Sequence, residues 1–123
     1  MIRVLVVDDE ADIAATTVEM LELRGYNAAS VTDVMGIADA IKRHQPDLIL
    51  QDAQMPGLDL KPAIIAARGA SRKRMVILIF TASVDAERIW RIVGADGFVE
   101  KPFKFDALQK EIERRTSVRA MHS

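Results

Sequence analysis

Apolar and polar positions alternate in blocks along this chain: short runs of branched aliphatic residues recur, and a longer stretch of helical period follows each. The first run is IRVLVV (2–7). From Asp12 to Arg24, the residues Ile13, Val18, Met20, Leu21 and Leu23 fall mostly on one helical face, and Gly25 supplies a stop. YNAASV (26–31) is a weaker strand, followed by a helix marked by Val34, Ile37, Ala38 and Ile41 that runs to His44, where Pro46 helps end it. DLILQD (47–52) predicts a third strand and MPGLD (55–59) a turn. A third helix is expected over Leu60–Ala67, with Pro62 in its first turn. After the loop RGASRKR (68–74) comes MVILIF (75–80), the most continuously apolar run and hence the expected central strand, covered on both faces. A short helix over Ala86–Val93, a strand DGFVE (96–100) and a last helix over Phe105–Arg115 complete the pattern, and residues 116–123 read as a tail with little to bury.

Five strands alternating with five helices predict one α/β domain over residues 1–115, a doubly wound parallel sheet with helices on both faces. The length of 123 residues suits one core rather than two. Composition narrows the function classes. The chain is 50% hydrophobic and 28% charged with a formal net charge of -1, the balance of an ordinary globular protein and not of a nucleic-acid or membrane surface. There is no cysteine, so disulfides and thiolate metal sites are excluded. The apolar start lacks a basic leader and a cleavage signal, and no apolar run reaches bilayer length, so a cytoplasmic location is expected.

Because βα crossovers are right-handed, the loops after all five strands emerge on one edge of the sheet, where open α/β folds place their ligands. The residues at those strand ends are Asp8 and Asp9, then Asp52, Thr81 and Lys101. Like charges at the end of a core strand demand compensation, because an uncompensated buried carboxylate costs several kcal/mol. Hard oxygen ligands without cysteine or a histidine pair suit Mg2+. Three carboxylates, a hydroxyl and an ammonium also form a kit for phosphoryl transfer, which is mostly positioning and charge neutralisation. Asp52 stands alone after its strand and is the candidate nucleophile.

Taken in order, VLVVDDE, DLILQDAQMPGLD, IFTA and GADGFVEKPF resemble the receiver domain of bacterial response regulators, the chemotaxis-type single-domain receiver of two-component signalling, over about residues 2–115. The resemblance implies a flavodoxin-like (βα)5 fold with strand order 2-1-3-4-5. It implies that Asp52 accepts a phosphoryl group from a phosphohistidine on a sensor histidine kinase or histidine phosphotransfer protein. Asp9 and Asp52 would bind Mg2+ with the backbone carbonyl of Gln54, and Asp8 would act directly or through water. Lys101 would hold a phosphate oxygen and the Thr81 hydroxyl another. Phe98 matches an aromatic whose rotamer follows Thr81, so the surface of helix four, strand five and helix five would contact a downstream target. Lys101-Pro102 matches a bond that is cis in the family. Such a protein is not an enzyme in the usual sense, since it catalyses only its own phosphorylation and dephosphorylation. No nucleic-acid or membrane contact is implied, and with so little sequence after helix five no DNA-binding output domain is expected unless the sequence is part of a longer protein.

Some positions depart from the family pattern. Gln51 occupies a usually apolar position and must find hydrogen-bond partners if buried. Leu60 stands where glycine is frequent, and the segment between Thr81 and Lys101 is a couple of residues short, around helix four. Gln54 and Ser83 are expected to tune hydrolysis. His44 and His122, without partners at binding spacing, are expected to be solvated; Trp90 packs inward or serves a partner surface; and SRKR (71–74) reads as a solvated loop with an acidic partner as the lesser option. The competing function is a phosphate-independent interaction module of the same fold. A flavin-type binder would need a Ser/Thr/Gly-rich phosphate loop where this chain has DDEAD.

Overall fold

The computed structural model describes residues 1–121, of which 117–121 only as backbone. Its elements in order are β1 (Arg3–Val7), α1 (Ala11–Leu23), β2 (Asn27–Val31), a 3-10 turn (Val34–Gly36) leading into α2 (Ile37–His44), β3 (Leu48–Asp52), α3 (Leu60–Ala70), β4 (Val76–Thr81), α4 (Ala86–Ile92), β5 (Gly97–Glu100) and α5 (Phe105–Met121). All five strands are parallel in one sheet of order β2-β1-β3-β4-β5, as expected.

Side chains alternate across the sheet and build two cores. Val4, Val6, Leu48, Leu50, Leu78 and Phe80 pack with Leu108 and Ile112 of α5 and Leu21 of α1. Leu5, Val7, Ile49, Ile77 and Ile79 pack with Ile41 of α2 and Ile64 of α3 on the other face. Every residue of β3 and β4 is buried, because both strands are interior and covered on both sides. Full burial of each such aliphatic side chain contributes about 1.5–3 kcal/mol. β2 is an edge strand and is only half-buried, which explains its weak sequence signal.

The turns at the helix ends have identifiable causes. Gly25 (φ 92) closes α1 with paired bonds from the Gly25 N–H to Glu22 O (3.1 Å) and the Tyr26 N–H to Leu21 O (3.1 Å), a Schellman arrangement in which Tyr26 packs back on Leu21. Gly94 (φ 84) closes α4 in the same way, through the Ala95 N–H on Trp90 O at 2.9 Å.

Three expectations need correction. The loop after α3 is shorter than read, because α3 continues to Ala70. Its last turn is anchored by Arg68, which donates to Met75 O (3.1 Å), Gly94 O (2.8 Å) and Asp96 Oδ2 (3.1 Å), contacts that no apolar period could signal. The last helix does not stop at Arg115: α5 runs to Met121, and Thr116 is buried with its hydroxyl donating to Ile112 O at 2.7 Å. His44 sits at the end of α2 but is not solvated. Its ring is half-buried, Nε2 is enclosed without a hydrogen-bond partner, and burial first, then the Arg3 guanidinium, hold its pKa below the usual 6.5. His122 lies outside the described residues.

The His44 ring sets one pH dependence. Because the folded protein disfavours the imidazolium, the unfolded chain takes up the proton first, so His44's contribution to stability is complete above the unfolded pKa and is lost progressively as pH falls from there through the lower folded pKa. Wild type should therefore lose more urea resistance than His44→Gln between pH 7.5 and 5.5 without divalent ions. Equal losses measured by urea denaturation would remove this role.

Candidate functional site

Strand alternation places the site before any chemistry is considered. Val7 pairs with Gln51, Asp52 with Phe80, and Phe80 with Val99. Asp8, just past β1, therefore shares a face with Asp52 and Phe80; Lys101, two residues after Val99 and just past β5, follows on that same face, while Gln51, Thr81 and Phe98 belong to the opposite face.

Carboxylate oxygens of Asp8, Asp9 and Asp52 lie within 4.8 Å of one another; Asp8 and Asp52 are buried and Asp9 is exposed. Asp8 Oδ1 accepts from the Glu10 N–H at 2.9 Å, but Oδ2 is enclosed and has no partner. Burial pushes the Asp8 carboxyl up from its usual 3.8, with the Asp52 charge adding to the rise; the Glu10 N–H and Lys101 ammonium oppose it. An orphaned buried oxygen beside two further carboxylates, with no thiolate or imidazole joining the cluster among the described residues, fits a hard divalent cation such as Mg2+.

Lys101 Nζ lies 3.4 Å from Asp52 Oδ1, and that same oxygen accepts from the Gln54 N–H at 3.0 Å. The second bond curls the chain after β3 so that the Gln54 backbone stays next to Asp52. Lys101 is anchored by its own N–H to Thr81 O (2.9 Å), and the Lys101-Pro102 peptide is cis, as the resemblance implies. Thr81 is buried, and its Oγ1 accepts from the Ser83 N–H at 3.1 Å; Ser83 Oγ accepts from the Asp85 N–H, also at 3.1 Å. Beside the lysine lies an apolar recess of about 350 Å3 lined by Ile13, Phe80, Ala82, Lys101, Pro102 and Phe103.

Thus Asp8, Asp9, Asp52 and Lys101 converge as the sequence predicts, with Thr81 joined to Lys101 through the backbone. Phe98 is apart from the carboxylates: it is half-buried in β5 against the α4 side, paired with Ile79 and on the same face as Thr81 two residues further on. Gln51 finds its partners, donating from Nε2 to Asp52 O at 3.0 Å and to Met55 Sδ at 3.6 Å. Leu60 begins α3 directly after extended Asp59, so the helix starts where the pattern places it. Trp90 packs partly inward against the core on the α4 side and is half-buried, with the Arg91 and Arg115 guanidiniums 5.0 and 6.0 Å from its ring. One residue escaped the sequence reading. Phe80 looks like core in an apolar run, yet its ring centroid is 4.4 Å from Lys101 Nζ; strand parity with Asp52 was the available signal.

Comparison with known proteins agrees with this geometry. The family model described as the response regulator receiver domain matches residues 4–113. The chain is 34% identical over 102 residues to the transcriptional regulatory protein PrrA of Mycobacterium tuberculosis, covering 82% of this chain and 44% of that protein. It is 32% identical over 115 residues to the DNA-binding response regulator MtrA of Mycolicibacterium paratuberculosis, covering 92% and 50%. The chain therefore spans about half the length of these curated relatives. Among solved structures it resembles the chemotaxis protein CheY4 of Vibrio cholerae (28% identity, TM-score 0.82, covering 93% of this chain and 98% of that one). It shares the fold of a CheY-like receiver domain protein from Methanospirillum hungatei (22% identity, TM-score 0.88, covering 100% and 99%). With its sheet order, its strand-end residues and a family match across nearly its whole length, this chain belongs to the response regulator receiver domain family.

Proposed function

We propose that this chain is a phosphoacceptor switch in which Asp52 receives a phosphoryl group from a phosphohistidine of a sensor histidine kinase or histidine phosphotransfer protein. The observation that carries the reading is the Lys101–Asp52 ion pair at 3.4 Å beside a carboxylate cluster that leaves one buried Asp8 oxygen without a partner. An Asp52 oxygen forms a bond to phosphorus as the bond from phosphorus to the donor's imidazole nitrogen breaks and its electron pair leaves on that nitrogen. Asp8, Asp9, Asp52 and the Gln54 carbonyl would hold Mg2+, which when bound supplies neutralisation of the gathered negative charge. Lys101 stays on a phosphoryl oxygen. The Thr81 hydroxyl already accepts from Ser83, so its own proton is free for another phosphoryl oxygen.

Drawing Thr81 toward the phosphoryl group would vacate space on the face it shares with Phe98, so the aromatic ring and the α4–β5–α5 surface follow and a downstream target is engaged by population shift. Catalysis is thus confined to the protein's own phosphorylation and dephosphorylation. Residues 1–115 would form the receiver unit. Among the described residues no helix is long and apolar enough to cross a membrane, which accords with a cytoplasmic signalling role.

Intact-mass measurement after incubation with Mg2+ and acetyl phosphate should show one phosphoryl group on wild type and none on Asp52→Asn. A wild type that never gains mass would favour the phosphate-independent interaction module. Asp8→Asn relieves repulsion within a buried cluster, so the metal-free variant should gain about 0.5–2 kcal/mol in urea denaturation, while its Mg2+ affinity drops at least tenfold. A variant with unchanged Mg2+ affinity would remove Asp8 from the metal site. Gln54 is exposed and Ser83 half-exposed at the pocket rim, so Gln54→Ala and Ser83→Ala should alter the dephosphorylation rate while leaving the urea midpoint near wild type.

A further inference from the structure

The sheet order fixes what Lys101 must pass to reach Asp52. β4 lies between β3 and β5, and Asp52 pairs with Phe80 and Phe80 with Val99, which precedes Lys101 by two residues on the same face, so position 80 lies on the face that the lysine side chain crosses. Any side chain there becomes the floor under the lysine. In this chain it is an aromatic ring whose centroid is 4.4 Å from Nζ, while Nζ is 3.4 Å from Asp52 Oδ1. The ring is buried, and it meets Phe103 at an interplanar angle of 89° with centroids 6.2 Å apart, which fixes its plane.

We infer that Phe80 is a positioning residue for Lys101, its π face holding the ammonium beside Asp52. The inference rests on the phosphoacceptor reading for its consequence, although not for the contact itself. A lysine head on a flexible four-carbon stem loses rotamer freedom when it is held at one point. Asp52 alone is an inconstant anchor, because its charge is spent once its oxygen bonds phosphorus. The ring quadrupole attracts the ammonium whatever the state of the carboxylate. An aliphatic residue at position 80 would fill the core comparably and lack that attraction.

Two variants separate positioning from packing. Phe80→Leu keeps an apolar side chain in the strand, and pentafluorophenylalanine incorporated at position 80 keeps the ring's shape while reversing its quadrupole. In 13C-lysine NMR spectra, the Lys101 ε-methylene protons (assigned with Lys101→Arg) should be shifted upfield by the ring current in wild type and should return to the range of the other lysines in Phe80→Leu. The initial rate of phosphorylation by acetyl phosphate should fall about three- to tenfold in both variants. A merely structural Phe80 would leave the fluorinated protein as fast as wild type, and that result overturns the inference, as does an unshifted Lys101 signal in wild type. If wild type takes up no phosphoryl group, the phosphoacceptor reading fails by itself, and the NMR shift still decides whether the ring holds the lysine.

Discussion

Burying two carboxylates at the end of a hydrophobic sheet is the constraint around which the rest of this structure is arranged. Asp8 and Asp52 are removed from water on neighbouring strands, their like charges raise the cost, and one partly exposed lysine with two backbone N–H groups compensates them. That compensation is incomplete, as the partnerless Asp8 oxygen and the upward push on its carboxyl testify. The surrounding architecture supplies the excess stability that tolerates such a defect: the two central strands are wholly buried, and aliphatic cores lie on both faces.

The opposite edge of the sheet uses the same residue type to the opposite end. Asp47 accepts from the Arg3 N–H at 2.8 Å and from Lys73 at 3.0 Å, while its own N–H donates to Arg3 O and its carbonyl accepts from Val76, tying β1, β3 and β4 together. Asp96 accepts from the Ile77 N–H at 2.8 Å and from Arg68 at 3.1 Å, tying the start of β4 to the turn before β5 and to α3. These aspartates have every reason to stay where they are, because their charges are met by several donors. At the carboxyl edge the donors are too few. The contrast between satisfied and starved carboxylates distinguishes scaffold from site without reference to any relative.

Most of the fold was legible because its signals are local: β-rich runs at regular spacing, with Gly25 and Pro46 at helix ends. The site was legible because right-handed crossovers bring strand ends together whatever the side chains between them. The misreadings share a different cause. Arg68 extends α3 through bonds to residues 75, 94 and 96, and the enclosure of His44 depends on how the end of α2 lies on the sheet. α5 continues past Arg115 where the apolar period has faded, and the buried Thr116 hydroxyl is satisfied by the Ile112 carbonyl of its own helix. Contacts of this kind leave no trace in periodicity.

Phe80 illustrates a third category, information that is in the sequence but surfaces only once register is known. Within MVILIF every residue serves burial equally well, and nothing singles out the sixth. Pairing with Asp52 makes it the one residue of that run at the site's edge, facing a lysine that must cross β4 to do its work. The same logic governs Gln51 one position before the nucleophile. Its parity sends it to the opposite core, so its amide meets no carboxylate but instead binds the Asp52 carbonyl and Met55, holding the turn that presents Gln54. Two adjacent residues of one strand, pointing to opposite faces, thus serve one site: Asp52 by its charge, and Gln51 by bracing the loop behind it.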